Sequence, residues 1–278
     1  MTSSKAVISE IEYLLSLKTI METYEEIAAS RMQRIRSSVL QSRDFLFEIN
    51  TIFQQVKSSY RIKGQGHFFN SNGKTLFIFV SANTGLYGDI IRRTFELFVQ
   101  HLKKETADVA IIGRLGLKLF QEEFGKKPFT YFDLSDNKFD IEALKKIVLY
   151  LIQYEKVLVF YEQFQSIISY QPIITSIAGS KLPWEPKVSE TKYFFEPSLE
   201  KVMAFFEKEI FASIFDQTIY ESQLAKFSSR MVSLDKATEN TRSRLKQVMF
   251  AKQRIRHQAI NKQQNQRLAS MSLWRVER

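Results

Sequence analysis

The stretch LAKFSSRMVSLDKATENTRSRLKQVMFAKQRIRHQA, residues 224–259, decides the fold. Its seam positions recur at alternating intervals of three and four residues. They are Leu224, Phe227, Met231, Leu234, Thr238, Thr241, Leu245, Val248, Lys252, Ile255 and Ala259. A period of 3.5 residues over this many heptads is typical of a left-handed coiled-coil seam. The polar members Thr238, Thr241 and Lys252 weaken that seam and help to fix its register.

The N-terminal segment has the same rhythm. Its seam positions are Val7, Ile11, Leu14, Lys18, Met21, Glu25, Ala28, Met32, Ile35, Val39, Ser42, Leu46, Ile49, Phe53, Val56 and Tyr60. Residues 1–63 and 198–278 contain neither glycine nor proline, which are depleted from helix interiors. Helices of this length need a partner along most of their extent. An antiparallel pair within the chain is the economical arrangement, although dimerisation through the same seams and packing on a globular core stay open.

Residues 64–197 hold all nine glycines and all five prolines, and they read as an α/β domain. The expected strands are 76–80, 109–113, 157–164 and an edge strand at 167–177. One expected helix ends near residue 104, and two others span 115–124 and 141–154. Strands that alternate with helices imply a mostly parallel sheet. The predicted fold is therefore an antiparallel coiled coil of long terminal helices with an inserted, Rossmann-like α/β domain. Its predicted regions are 1–63, 64–197 with a linker at 179–197, and 198–278 with a basic tail.

The composition excludes several classes of function. The chain has no cysteine, which removes disulfides, thiolate nucleophiles and cysteine-ligated metals. Its three histidines, His67, His101 and His257, lie too far apart for a local metal motif. We see no apolar run long enough to span a membrane and expect no signal peptide.

The net charge of +10 is concentrated at one end of the chain. Residues 242–278 carry 10 basic side chains and a single acid, Glu277. Such a segment is expected to meet an acidic partner, which could be nucleic acid, anionic lipid or an acidic protein surface.

No motif in the insert indicates catalysis. Gly85 and Gly88 follow the first predicted strand, where a phosphate could bind at a helix N-terminus, but their spacing fits neither G-x-G-x-x-G nor a P-loop. A tight strand-to-helix turn is the better interpretation, and Gly64 and Gly66 indicate a flexible exit from the first helix. We therefore predict no catalytic residue, no cofactor site and no metal site.

Five short segments in order resemble one known family. They are IAASRM at 27–32, SANTGLYG at 81–88, QPII at 171–174, YFFEPS at 193–198, and SRM at 229–231 followed by ATEN at 237–240. In this arrangement the chain resembles the gamma subunit of the F-type (rotary) ATP synthase over nearly its whole length. The tail departs from the family's pattern, because residues 256–263 keep only an arginine and an isoleucine of its usual motif.

The resemblance implies a non-catalytic rotor shaft. In the family this shaft turns inside a hexamer of alpha and beta subunits, and its globular region binds the epsilon subunit and the membrane rotor ring. The chain would then be peripheral, on the cytoplasmic face of a bacterial membrane or the equivalent face of an organelle. The candidate subunit contacts are Arg31, Met32, Arg230, Asn240, Arg254, Arg256, His257 and Ile260. For Met32 and Arg31, plain seam packing and a solvated arginine are equally open.

Two other functions stay open at this point. A gamma paralogue recruited to another rotary or motor-like ATPase would account for the unusual tail. A nucleic-acid-binding coiled-coil protein would account for the basic end. It would not account for the turn at Gly85 and Gly88, and the tail has few aromatic residues for base stacking.

Overall fold

The two segments without glycine and proline each form one long helix. The computed structural model describes residues 4–59, 72–136, 140–177, 196 and 198–274. Helix α1 spans Ser4–Ser59 and helix α5 spans Leu199–Trp274. The prediction of two long terminal helices is confirmed.

The insert between them is a sheet with helices, as predicted. Its elements are β1 Thr75–Val80, α2 Ile90–Leu102, β2 Asp108–Ile112, α3 Arg114–Phe124, β3 Thr130–Phe132, α4 Ile141–Leu151, β4 Lys156–Ser166 and β5 Ser169–Ser176. The strand order is β3-β2-β1-β4-β5. The first four strands are parallel, and β5 pairs with β4 in the antiparallel direction.

The sheet has an aliphatic face and an aromatic face because successive side chains of a strand point to opposite sides. From β1, Leu76 and Ile78 join a buried cluster with residues of α1, α4 and α5. Phe77 and Phe79 point the other way. Phe79 lies 5.6 Å from Phe98 of α2, measured between ring centroids. Both faces are buried, which is why β1 reads as a continuous apolar run.

One strand, β3, lies outside the predicted elements, and several helix and strand ends differ from the predicted ones. Strand β3 has only three residues, and its half-buried side chains carry no alternating pattern. Pro172 lies in the edge strand β5, as expected, since an edge strand tolerates a residue that cannot donate a hydrogen bond. The predicted linker at 179–197 and Gly64 with Gly66 lie outside the described residues, apart from Glu196. The three-region division stays a prediction.

The chain forms two compact units, which are described separately. One comprises Met1–Ile27 and Met231–Arg278, and the other Ala28–Arg230. In the first unit, Val7, Ile11, Leu14 and Val248 form a buried cluster, with Leu245 and Ile255 packed against it. These are six of the predicted seam positions.

Ion pairs flank this cluster in the first unit. Arg244 donates to Glu10 at 2.7 Å, and Arg242 donates to Glu22 at 2.7 Å. The order of the acids along α1 is the reverse of the order of the arginines along α5.

Gly113 holds the turn between β2 and α3. Its φ of +95° is one that residues with a side chain rarely adopt. A Cβ at this position would lie 2.8 Å from the backbone nitrogen of Ala82, in the segment that follows β1. A glycine is therefore required on grounds of both conformation and space.

We expect Gly113→Ala to lower the free energy of unfolding by roughly 2 to 4 kcal/mol, because positive-φ strain and a backbone clash add. Urea unfolding followed by circular dichroism measures this change. Gly85→Ala is the matched control, since a Cβ there meets nothing within 4 Å. Equal stability of the two variants would contradict the role assigned to Gly113.

Asp216 on α5 makes stability depend on pH. Burial, with a smaller contribution from the negative charge of Glu209, raises its pKa from 3.8 to about 6. A raised carboxyl pKa means that the folded state binds the proton more tightly than the unfolded state. The resulting stability is present below about pH 4 and is lost as the pH rises through about 6.

We therefore expect Asp216→Asn to stabilise the chain at pH 8 by about 1 to 2 kcal/mol, allowing for solvent screening of a partly exposed group. At pH 4 the variant and the parent protein should unfold at nearly the same urea concentration. A stability difference that does not change between pH 4 and pH 8 would refute this explanation.

Candidate functional site

Helix α5 is buried on nearly all sides between residues 213 and 230. Many of its buried side chains there are polar or charged. They are Ser213, Thr218, Glu221, Ser222, Lys226, Ser228, Ser229 and Arg230. Buried polar groups cost free energy unless they are hydrogen-bonded, so the partners of these residues define where α5 is held.

One set of partners is the loop that follows β1. Arg230 donates to the Thr84 hydroxyl at 2.9 Å and to the Gly85 carbonyl, and Ser229 donates to the Tyr87 carbonyl at 2.7 Å. The Arg230 guanidinium also lies 3.9 Å from the centroid of the Tyr87 ring, a close cation–π contact. This loop is the turn at Gly85 and Gly88 that the sequence analysis singled out.

The carboxylate of Asp136 also holds this loop. Asp136 accepts from the backbone N–H groups of Asn83 and Thr84 and from the Thr84 hydroxyl, at 2.8 to 3.0 Å. Burial chiefly, and the Asp136 charge next, raise the pKa of Tyr87 to about 12, so this phenol stays protonated. In open α/β sheets, ligands bind at the carboxyl ends of the strands. Here the Asp136 side chain accepts hydrogen bonds from the amide groups that would otherwise face an anionic ligand.

A second set of partners lies on another side of α5. Glu221 is buried, and its Oε1 accepts from the Arg43 Nη2 at 2.6 Å and from the Gln217 Nε2 at 3.1 Å. Ser228 donates to the carbonyl of Ile167, at the turn between β4 and β5. Helix α5 is therefore bound to α1 and to the end of β4 as well as to the loop after β1.

A third set joins α5 to the middle of β4. The Glu162 Oε2 accepts from the Ser222 hydroxyl at 2.6 Å and lies 3.9 Å from the Lys226 ammonium. Lys226 also donates to the Ser81 carbonyl at the end of β1. Complete burial raises the pKa of the Glu162 carboxyl, and the charge of Lys226 and the Ser222 hydrogen bond oppose that rise.

The structure brings together two of the eight predicted contact residues. Arg31 and Arg230 both lie against the ring of Phe227, at 5.6 and 5.8 Å from its centroid. Met32 is half-buried, in keeping with seam packing. The others are exposed and lie on α5 in the unit that contains Met231–Arg278: Asn240, Arg254, Arg256, His257 and Ile260.

Sequence reasoning missed the groups that hold α5. Asp136 and Glu162 carry no motif, and their partners lie 52 and 60 residues away along the chain. Lys226 is not one of the predicted seam positions, so the periodicity of α5 gave no signal for it.

Within the described ranges, no group of three or more histidine, aspartate or glutamate side chains is arranged to hold a metal ion. Among the same residues, no helix is long and apolar enough to cross a membrane.

Comparisons with known proteins agree on one family. A family model described as ATP synthase matches residues 3–263. The ATP synthase gamma chain of Pelotomaculum thermopropionicum is 22% identical over 275 residues, which cover 95% of this chain and 96% of that one. The gamma chain of Mesoplasma florum is 24% identical over 244 residues, or 84% of each chain.

Solved structures show the same fold. A chain of the central stalk of the Tetrahymena thermophila mitochondrial ATP synthase aligns with a TM-score of 0.60 at 18% identity, covering 78% of this chain and 99% of that one. A chain of the Euglena gracilis mitochondrial ATP synthase aligns with a TM-score of 0.54 at 10% identity, covering 89% and 93%. With the family model matched over residues 3–263, the chain belongs to the ATP synthase family as a gamma chain, the non-catalytic subunit that forms the central rotor shaft.

Proposed function

We propose that the basic end of α5 turns inside a ring of alternating alpha and beta subunits. The observation that carries this proposal is the exposure of this end. From residue 249 to residue 270 every side chain of α5 is exposed except Ile255, which is partly buried. A helix without a buried face is not stable by propensity alone, so it needs surroundings supplied by other subunits.

The chemistry of this end suits a rotating contact with acidic surfaces. Arg254, Arg256, Lys262 and Arg267 are exposed along it, and residues 242–278 contain a single acid. Contacts between exposed charges are only weakly directional and act over about one Debye length, roughly 8 Å at physiological ionic strength. They hold the helix in a ring and resist rotation less than interlocking apolar side chains would.

The shaft itself is proposed to be an antiparallel coiled coil. The buried seam residues Val7, Ile11, Leu14 and Val248 support it, as does the reversed order of the flanking ion pairs. Asn240, Arg254, Arg256, His257 and Ile260 are proposed to touch the ring. For Arg31, Met32 and Arg230, contact with another subunit stays a prediction beside the internal contacts described above.

We further propose that the insert binds the epsilon subunit and the membrane rotor ring. The chain would then lie on the face of the membrane where ATP is made, which is the cytoplasmic face in a bacterium. The position of Asp136 argues against nucleotide binding by the insert. Its carboxylate accepts from backbone amide groups at the edge of the sheet where a nucleotide phosphate would otherwise bind, which leaves contact with other subunits as the role of the insert.

Purification of the tagged chain from its host in mild detergent tests these partners. We expect alpha, beta and epsilon subunits and the membrane ring to co-purify with ATPase activity. A hexameric ATPase without the membrane ring would indicate a recruited paralogue instead. Nucleic acid alone, released at high salt, would refute the rotary proposal.

We expect the charge reversal Arg254→Glu/Arg256→Glu to reduce ATP-driven ion pumping severalfold in the assembled complex, because it turns attraction to acidic loops into repulsion. Pumping is measured in membrane vesicles and divided by the rate of ATP hydrolysis.

Two variants control this measurement. Arg254→Lys/Arg256→Lys keeps the charge and should pump like the parent complex. Lys118→Glu/Lys126→Glu makes the same charge change on exposed residues of the insert. Unchanged pumping by the charge-reversed tip would rule out its contact with acidic loops.

A further inference from the structure

We propose that the buried ion pair between Lys226 and Glu162 fixes the rotational setting of α5 about its own axis, so that torque passes between this helix and the insert. Lys226 is thus assigned as a positioning residue for rotary coupling. The proposal rests on the proposed function, since it takes the chain to work as a shaft under load.

The pair lies where α5 crosses the end of β1. Strand β4 extends beyond its last paired position with β1, Phe160 opposite Phe79, and Glu162 lies in this extension. Lys226 reaches both the Glu162 carboxylate and the carbonyl of Ser81, the residue that follows β1. One ammonium group therefore connects α5 to two neighbouring strands.

The pair is more deeply buried than the ion pair between Glu221 of α5 and Arg43. The side chains of Lys226 and Glu162 are 6% and 0% exposed, whereas the Arg43 side chain, which pairs with Glu221, is 44% exposed. An exposed arginine that loses its partner is hydrated by water. Water does not reach the Glu162 side chain, so separation of the pair would leave an uncompensated charge in the interior.

The contacts of α5 point in two directions. Ser222, Lys226 and Ser229 are four and three residues apart, which places them on one face of the helix. Glu221 and Ser228 lie on another face, where they meet Arg43 and the end of β4. Rotation of α5 in either sense must therefore break hydrogen bonds.

Directional contacts of this kind can fix the rotation of α5 about its axis, which apolar packing alone does not. Apolar side chains gain nearly the same free energy from many arrangements of similar volume. The hydrogen bonds from Lys226 to the Ser81 carbonyl and from Ser222 to Glu162, which flank the ion pair, each accept only a narrow range of donor and acceptor positions. One residue of helix rotation is 100°, which carries the Lys226 side chain away from Glu162.

Stability and coupling can be separated by experiment, because removal of both buried charges is often neutral for stability whereas removal of one is not. We would assemble Lys226→Met, Glu162→Gln and the double variant into complexes lacking their own gamma chain. Three quantities are measured: the unfolding temperature of the chain, the rate of ATP hydrolysis, and the ions pumped per ATP against an increasing opposing gradient.

We expect each single variant to unfold at a lower temperature and the double variant to recover most of that loss. The double variant should hydrolyse ATP at nearly the parent rate but pump severalfold fewer ions per ATP against a steep gradient. A double variant that recovers both unfolding temperature and pumping would show that the pair only stabilises the fold, and it would overturn the proposal.

Two further variants keep the test decisive. Lys145→Met/Glu142→Gln removes the same charges from an exposed ion pair on α4 and should unfold at the same temperature as the parent, which controls for the loss of the charges themselves. If the double variant does not assemble, Ser222→Ala, which loses one hydrogen bond to Glu162, should show a smaller loss of pumping under load than is expected for the double variant. Parent-like pumping by Ser222→Ala would then overturn the proposal.

The parent chain separates this test from that of the proposed function. If it fails to restore any pumping to a complex lacking its gamma chain, the proposed function is wrong. If it restores pumping, the variants report on the ion pair alone.

Discussion

The structure of the larger unit depends on one constraint, the satisfaction of polar groups along a buried helix. Between residues 213 and 230, α5 has almost no exposed side and carries charged side chains such as Glu221 and Lys226. Each of these charges needs a fixed partner, because water cannot replace it in the interior. The partners come from α1, β4 and the loop after β1, so that loop, the extension of β4 and the middle of α1 are all positioned by the same helix.

Much of the fold was predictable because local sequence patterns determine it. The absence of glycine and proline from both ends predicted α1 and α5, and apolar runs bounded by turns predicted the buried strands. Strand β3 was missed since its three half-buried residues carry no pattern of burial. The end of α4 was placed three residues too late, at Tyr154 instead of Leu151, because apolar spacing continues past the last helical hydrogen bond.

The candidate site was less predictable, and the reason is physical. Arg230 and the turn at Gly85 were both singled out from their motifs, yet their contact with each other could not be read from the sequence. Glu162 and Lys226 have no motif at all. These two residues contact each other only once the sheet is formed, because the β4 extension then places the Glu162 carboxylate beside α5. Periodicity reports which face of a helix is buried, but it does not report which polar group lies opposite.

The loop after β1 shows how an α/β sheet can be a mechanical element. Such sheets usually leave backbone amide groups free at the carboxyl ends of their strands, where an anionic ligand binds. In this chain Asp136 accepts from two of those amides, and Arg230 covers the loop from the side of α5. Filling the edge with its own side chains removes the ligand site and at the same time stiffens the attachment of α5, which is what a shaft requires.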